Sequence, residues 1–253
     1  MKQLSNKNVL ITGASKGLGK AIALAFAREN IAAISIVARN KVELEKVSYE
    51  INKISPSTKV VVLTGDVSIP EDIERIVATT LHAFGGKLDI LINNASVLGI
   101  TPMPYLLDYP LENFKKVLDT NLIGPFLLIK SFLPAMIEEG GSIINVSSDA
   151  GVVGYAGWGA YGISKFGLEG MSQTWAAELK ETEVRINWVD PGSMNTAMHQ
   201  AAEPDENPDQ WANPADITDV FVFLASDESK QISGQRFEAQ EEWKELIKSE
   251  IHV

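Results

Sequence analysis

Short aliphatic and β-branched runs alternate along the chain with longer amphipathic runs. Six of them predict β-strands, at 8–12, 33–38, 60–64, 88–93, 142–147 and 184–189. Helical periodicity follows the first three strands, over 18–30, 41–54 and 71–84. Because the strand runs are almost continuously apolar, they predict strands that are covered on both faces. The pattern therefore predicts one α/β domain over 1–253, a doubly wound parallel sheet with helices on both faces.

One stretch departs from this alternation. Residues 190–215 are rich in Pro, Asn, Asp and Glu and contain no long apolar run. A polar segment of this length inside a compact domain is typical of a functional loop. We therefore predict a substrate lid at 193–213.

Composition and charge narrow the class of protein. The 253 residues are 45% hydrophobic, which fits a soluble globular domain, and the net charge is −11. An acidic chain repels nucleic acid, so no nucleic-acid partner is expected. The absence of cysteine excludes disulfides, thiolate catalysis and cysteine-type zinc sites, and we predict no metal site. No membrane span is expected, and the first apolar run is interpreted as a strand, which predicts a cytoplasmic protein.

A glycine-rich turn, TGASKGLG at 12–19, joins the first predicted strand to the first helix. Gly13, Gly17 and Gly19 allow the backbone to turn sharply and to approach a ligand closely. The free N–H groups at the start of the helix attract an anion, and pyrophosphate is the expected one. The spacing is G-x-x-x-G-x-G rather than the common G-x-G-x-x-G.

Two basic residues indicate which dinucleotide is bound. The second strand ends in Ala38 and Arg39, where an acidic residue would favour NAD(H), and Lys16 lies inside the glycine turn. Two cations near the 2′ position suit a phosphate, so we predict NADP(H), with NAD(H) the less favoured cofactor. The alternative is that both are solvated surface charges.

A tyrosine and a lysine in AYGISKFG, Tyr161 and Lys165, are separated by one helical turn and share a helix face. A lysine ammonium beside the phenol is expected to lower the tyrosine pKa by roughly three units before desolvation. Tyr161 could then exchange a proton with an alcohol or carbonyl oxygen. Ser148, just beyond a predicted strand, could hydrogen-bond that oxygen, with Ser147 as its competitor.

These motifs together resemble the short-chain dehydrogenase/reductase family. The matching segments, in order, are TGASKGLG (12–19), GDV (65–67), NNAS (93–96), Asn121, SS (147–148), YGISK (161–165) and DPG (190–192). The resemblance covers nearly the whole chain and implies a Rossmann fold and an oxidoreductase. It implies the catalytic residues Asn121, Ser148, Tyr161 and Lys165. It implies cofactor contacts from Gly13, Ser15, Lys16, Gly17, Leu18, Gly19, Arg39, Asp66, Val67, Asn93, Ala95, Tyr161, Lys165, Pro191, Gly192, Met194 and Thr196.

Proline at position 125 adds a physical argument to the implied role of Asn121. Pro125 has no N–H, so it cannot bond to the carbonyl of Asn121 four residues earlier. That carbonyl could hold a water beside Lys165 and complete a proton relay to solvent. The alternative is that Pro125 only kinks a long helix.

The chain also departs from the family. Ser96 stands where the family usually has glycine, and the end of the chain keeps Gly234 but lacks the usual glycine-rich finish. Residues near the predicted mouth indicate an apolar carbonyl substrate: Tyr155, Trp158, Met194, Met198 and Trp211. His199 is interpreted as a polar lid residue. The resemblance implies a homodimer or homotetramer through helices at 112–138 and 160–180.

The sequence thus predicts an NADP(H)-dependent oxidoreductase, a carbonyl reductase or alcohol dehydrogenase in which Tyr161 is the general acid/base. An epimerase or dehydratase of the same fold, or a non-catalytic nucleotide-binding sensor, is the alternative. A serine hydrolase is disfavoured because G-x-S-x-G is absent.

Overall fold

The computed structural model describes residues 3–241 and 243. Within them one parallel sheet of seven strands has the order β3-β2-β1-β4-β5-β6-β7. The strands are β1 (Asn8–Thr12), β2 (Ala33–Ala38), β3 (Lys59–Thr64), β4 (Ile90–Asn93), β5 (Gly141–Val146), β6 (Val184–Asp190) and β7 (Arg236–Glu238). The helices are α1 (Gly17–Arg28), α2 (Lys41–Ile54), α3 (Pro70–Ala83), α4 (Leu111–Leu118), α5 (Gly124–Ile137), α6 (Gly159–Glu178), α7 (Ala197–Ala202) and α8 (Asp219–Ala225).

Alternate residues of each strand build a separate core on each face of the sheet. Val9 and Ile11 of β1 belong to the cluster that α1, α2 and α8 cover, with Phe26 and Phe221 at its centre. Leu10, between them, belongs to the opposite cluster, which α3 and α5 cover. Both faces are apolar and both are buried, so the strands read as continuous apolar runs. The predicted doubly wound Rossmann fold is confirmed.

The strand order reverses direction between β1 and β4. In an open parallel sheet, a crevice forms outside the carboxyl ends of the strands at such a point. The loops after β1, β2, β4, β5 and β6 all reach this edge. The fold therefore collects at one crevice the segments that carried the sequence motifs.

The helical stretch Leu111–Ile137 is interrupted by a π-helical turn at Asp119–Ile123. Gly124 closes this turn through a hydrogen bond from its N–H to the carbonyl of Asp119, five residues earlier. A β-carbon at Gly124 would lie 2.5 Å from the carbonyl oxygen of Val67, so only glycine fits this approach. Pro125 follows and donates no hydrogen bond, which explains why the regular ladder gives way here.

Leu111–Ile137 also has the length and hydropathy of a membrane span, contrary to the expectation that no stretch would. Its most apolar window is 44% buried, and Leu128, Ile129 and Phe132 lie in the core. A buried core helix passes the same test of length and composition. We therefore interpret the stretch as a core helix of the domain.

Candidate active site

A cleft of about 520 Å³ lies at the carboxyl edge of the sheet and extends from the glycine turn to Tyr161 and Lys165. Fourteen of the predicted cofactor contacts line it: Gly13, Ser15, Lys16, Gly17, Leu18, Arg39, Asp66, Val67, Ala95, Tyr161, Lys165, Pro191, Met194 and Thr196. Gly19, Asn93 and Gly192 do not line it. The topology thus brings together residues that are up to about 180 positions apart in sequence.

The glycine turn is held in shape by β4. Gly13 and Gly17 have φ values of +67° and +53°, a region that favours glycine. Thr12 Oγ1 accepts hydrogen bonds from the N–H groups of Asn94 and Ala95, both at 3.0 Å. Asn94 Nδ2 returns a hydrogen bond to the carbonyl of Thr12 at 2.8 Å. A β-carbon at Gly19 would lie 2.4 Å from the Gly13 carbonyl oxygen, so Gly19 closes the turn rather than facing a ligand.

Asn93 does not contact the cleft, contrary to the prediction. It is buried, and its Nδ2 donates to Asn145 Oδ1 at 2.9 Å beneath the site. Its neighbour Asn94 lines the cleft instead. Consecutive residues at a strand end point to opposite sides, and the sequence alone does not reveal which one faces the crevice.

The rim of the cleft beyond β2 carries positive charge. Lys16 and Arg39 both line this end, and both side chains extend into solvent. Arg39 makes one loose ion pair, with Asp66 Oδ2 at 3.6 Å, and its side chain stays 71% exposed. Such a contact contributes little, so the guanidinium is free to bind an anion at the cleft.

Tyr161 and Lys165 meet at the other end, both buried. Lys165 Nζ lies 5.4 Å from the centroid of the Tyr161 ring and donates to the carbonyl of Val146 at 2.7 Å. Burial raises the pKa of Tyr161 above its ordinary value, although a hydrogen bond with Ser148 acts in the opposite direction. Desolvation, which the expected lowering by the lysine left out, is the largest influence on this pKa in the protein alone.

Burial also lowers the pKa of Lys165, to about 8, while the nearby charges of Asp190 and Glu169 act to raise it. Burial thus shifts the phenol and the ammonium in opposite directions, each toward its neutral form. Charge brought into the cleft by a ligand would act on both groups at short range.

The two serines after β5 have different partners. Ser147 is buried, and its hydroxyl donates to Glu169 Oε1 at 2.5 Å. Ser148 is half-buried; its Oγ donates to Asp149 Oδ1 at 2.8 Å and accepts from the Ala150 N–H at 3.2 Å. Only Ser148 contacts Tyr161 among these two, since its hydrogen bond acts on the Tyr161 pKa. The geometry therefore favours Ser148 over Ser147 as the polar partner of the tyrosine.

Asn121 lies in the π-helical turn and is buried. Its side chain accepts from the Val97 N–H at 2.9 Å and donates to the Val97 carbonyl at 2.9 Å and to Ser164 Oγ at 3.0 Å. These bonds join the loop after β4 to the helix that carries Tyr161 and Lys165. The relay through the Asn121 carbonyl stays a prediction.

A buried charge cluster that the sequence did not reveal lies behind the lysine. Arg236 of β7 donates to Glu169 Oε1 at 3.2 Å and to Asp190 Oδ2 at 2.7 Å, and it also pairs with Glu238. A fourth contact of Arg236 reaches the carbonyl of Ser148 at 3.5 Å. One guanidinium thus connects β7 with α6, the end of β6 and the serine loop. The only sequence signal was Glu169, one helical turn after Lys165.

The C-terminal segment also supports the loop after β6. Gln240 Nε2 donates to the carbonyls of Pro191 and Ser193, at 2.8 and 2.9 Å. A β-carbon at Gly192, which has a φ of +68°, would lie 2.6 Å from this side chain. Gly192 therefore makes room for Gln240 rather than for a ligand. The rest of the segment that departs from the family pattern, residue 242 and residues 244–253, lies outside the described residues.

Three of the residues that were predicted near the substrate mouth lie at the cleft or around Tyr161. Trp158 packs with Leu98, Met103 and Ala202 around Tyr161, and Met194 and Met198 line the cleft. Trp211 is the exception, because it is buried within the predicted lid. Its Nε1 donates to Glu206 at 2.9 Å, and its ring lies 4.5 Å from that of His199. Trp211 and His199 thus hold the lid together, and Thr196 caps its helix by accepting from the His199 N–H.

Ser96, the other departure from the family pattern, lines the cleft beside Ala95. Its Oγ is buried and has no hydrogen-bond partner in the described part of the chain. A buried hydroxyl without a partner costs free energy unless a ligand satisfies it.

Comparison with known proteins places this geometry in context. The model of the short chain dehydrogenase family matches residues 7–207. The chain is 31% identical over 239 residues to the uncharacterized oxidoreductase YciK of Escherichia coli, covering 94% of this chain and 93% of YciK. It is 35% identical over 246 residues to the 3-oxoacyl-[acyl-carrier-protein] reductase FabG of Thermotoga maritima, covering 92% and 96%. The crystal structure of a short chain dehydrogenase from Escherichia coli CFT073, complexed with NADPH, superposes with a TM-score of 0.87 at 31% identity, covering 95% and 100%.

Proposed function

The chain belongs to the short-chain dehydrogenase family, and from this premise we propose that it is an NADP(H)-dependent oxidoreductase that interconverts a carbonyl and an alcohol. One observation carries the proposal: Tyr161 and Lys165 line one end of a cleft whose opposite end is a glycine turn, and Ser148 is hydrogen-bonded to Tyr161 beside it. A nucleotide-binding sensor would have no need for a buried tyrosine and lysine there.

The residues at the cleft fit a dinucleotide phosphate. The glycine turn presents backbone N–H groups at the start of α1, where a pyrophosphate is favoured. Lys16 and Arg39 would hold a 2′-phosphate, and the unpartnered Ser96 hydroxyl offers a further polar contact. NADPH, when bound, supplies a hydride to the substrate carbon. The NADPH complex of the Escherichia coli relative supports the same choice of cofactor here.

Side chains of the protein would transfer the proton that accompanies the hydride. Tyr161 donates it to the carbonyl oxygen during reduction and accepts it from the alcohol during oxidation. Ser148 would turn its hydroxyl from Asp149 to the same oxygen and hold it within reach of the phenol. Lys165 stabilises the phenolate that remains after donation, since its ammonium lies against the ring. Asn121 fixes the loop at Val97, which borders the cleft.

The proposed function is tested by an NADPH-oxidation screen over ketones, aldehydes, quinones and diketones. We expect turnover of at least one apolar carbonyl compound, with the alcohol as the product. Binding of NADPH without turnover of any compound in the screen would contradict the proposal and favour a nucleotide sensor.

Removal of the positive rim should change the cofactor preference. In a Lys16→Ala/Arg39→Ala double variant, we expect the KM for NADPH to rise about 30-fold and the KM for NADH to change less than threefold. The reason is that only NADPH carries the 2′-phosphate with which these charges pair. Steady-state kinetics with each cofactor provide the measurement.

Lys46→Ala is the matched control, because Lys46 lies on α2 in an exposed pair with Glu43. It should leave both constants unchanged. A wild-type enzyme with a lower KM for NADH than for NADPH would refute the assignment.

We also propose that the chain forms a homodimer or homotetramer through the outer sides of α5 and α6. Ile123, Phe126, Ile163 and Phe166 are large apolar residues that stay exposed there. Phe126 of α5 stacks with Trp175 of α6, so the exposed apolar residues lie on neighbouring helices, where such residues mark an interaction surface. Phe166→Glu should therefore lower the sedimentation coefficient to that of a smaller assembly, whereas Val42→Glu, at an exposed site on α2, should not. A wild-type monomer at micromolar concentration would contradict this.

A further inference from the structure

Asp149 brings a carboxylate directly to the proposed substrate side of the active site. Its Oδ1 accepts the Ser148 hydroxyl at 2.8 Å and the Ala150 N–H at 2.8 Å. A hydrogen bond with Asp149 also raises the pKa of Tyr155, and its charge contributes to the raised pKa of Tyr161. The hydroxyls of Ser148 and Tyr155 therefore contact this carboxylate, and in the described part of the chain it forms no ion pair.

The nearest basic residues, Lys165 and Arg236, lie deeper in the site, and Arg236 is already paired with Glu169, Asp190 and Glu238. Residues 94–110, 147–164 and 193–213 include no lysine or arginine. Their acidic residues are Asp108, Asp149, Glu203, Asp205, Glu206 and Asp209. At the opposite end of the cleft, Lys16 and Arg39 form the positive rim. Lys16 and Arg39 thus place positive charge at the cofactor rim, and Asp149 places a negative charge beside Ser148.

Aromatic rings continue from Asp149 toward solvent. Tyr155, which is exposed, lies 6.2 Å from Trp158, and Trp158 lies 5.7 Å from Tyr161, with both pairs edge to face. Leu98 and Met103 complete an apolar wall around Tyr161. Ring faces next to a carboxylate attract a cation and tolerate a neutral apolar group, while they offer nothing to an anion.

We propose that this site selects carbonyl or alcohol compounds with an apolar or aromatic body that is neutral or cationic near the reacting carbon, and that Asp149 is the residue that rejects anions. The inference rests on the proposed function and specifies its substrate class. A carboxylate or phosphate on the substrate would be repelled by the exposed negative charge of Asp149, and salt would weaken this repulsion.

Three benzaldehydes of similar size test this directly. They carry a para-trimethylammonium group, a para methyl ester or a para-carboxylate, and kcat/KM is measured with NADPH for each. In the wild type, we expect the cation to exceed the anion by at least about tenfold. Asp149→Asn keeps an oxygen that can accept from Ser148 but removes the charge, so the ratio should fall below about threefold. The neutral ester reports any general effect on Ser148, and each ratio is taken relative to it.

Glu45→Gln is the control, because Glu45 is an exposed acid on α2 that pairs with Lys41. Its cation-to-anion ratio should equal that of the wild type. Added salt should reduce the wild-type ratio, since screening weakens an interaction at a partly open mouth. A wild-type ratio near one, or a ratio that Asp149→Asn leaves unchanged, would overturn the inference.

Binding of the same aldehydes to the NADPH complex, measured by calorimetry, separates the two proposals. Turnover without charge preference would overturn this inference alone. Charge-selective binding that depends on Asp149, without turnover, would support the inference and contradict the proposed reductase activity. Neither binding nor turnover of any of the three would overturn the inference.

Discussion

Tyr161→Phe is expected to lower kcat for carbonyl reduction by about 10³-fold, with little change in the Kd for NADPH. The substitution removes only the hydroxyl that donates the proton, and general acid catalysis by one positioned group contributes on this order. The phenylalanine ring can keep the contacts with Trp158 and with the cluster of Leu98 and Ala150. Stopped-flow measurement of kcat and fluorescence titration of NADPH provide the two quantities.

Tyr49→Phe is the matched control, because Tyr49 is exposed on α2 and does not line the cleft. It should behave as the wild type in both measurements. If Tyr161→Phe kept more than about a tenth of the activity, a different group would have to supply the proton. If it lost NADPH affinity in proportion to kcat, the tyrosine would be a binding residue rather than the acid.

Arg236→Met is expected to lower the free energy of unfolding by about 3 kcal/mol, because it leaves Glu169 and Asp190 buried without their cation. Urea unfolding at neutral pH measures the change. The double variant Arg236→Met/Glu169→Gln should be more stable than Arg236→Met alone, since one of the two carboxylates is then neutral.

Arg75→Met offers the contrast, because Arg75 pairs with Asp72 at the surface. Its loss should cost less than about 1 kcal/mol. Equal costs for Arg75→Met and Arg236→Met would mean that the buried cluster contributes no more than a surface pair. The same outcome would show that the Arg236 cluster does not hold the serine loop against β6 and β7.

The first six strands and the first three helices could be predicted from sequence because each depends on local pattern. Apolar runs such as NVLIT and AISIVA became β1 and β2 without a change of boundary. The seventh strand could not be predicted in this way. Arg236–Glu238 is three residues long with a charge at each end, and only pairing with β6 makes it a strand.

In the site, too, the features that depend on local pattern could be predicted and those that depend on tertiary packing could not. Helical spacing was enough to predict that Tyr161 and Lys165 share one face. The position of the glycine turn after β1 was enough to predict a ligand site at that end of the sheet. Spacing carries no information on depth, however, so the size of the burial effect, which raises the Tyr161 pKa, could not be predicted. Likewise, Arg236 lies 67 residues from Glu169 in sequence, and no local pattern connects them.

The hydrogen bonds between Thr12 and Asn94 determine when the glycine turn becomes ordered. Because the sheet itself shapes the turn after β1, the ordering of that turn is completed when the chain folds. An arriving dinucleotide would then lose little affinity to loop entropy, and its affinity would depend on charge and desolvation. The dinucleotide-binding turn would therefore be preorganised in the protein without its cofactor.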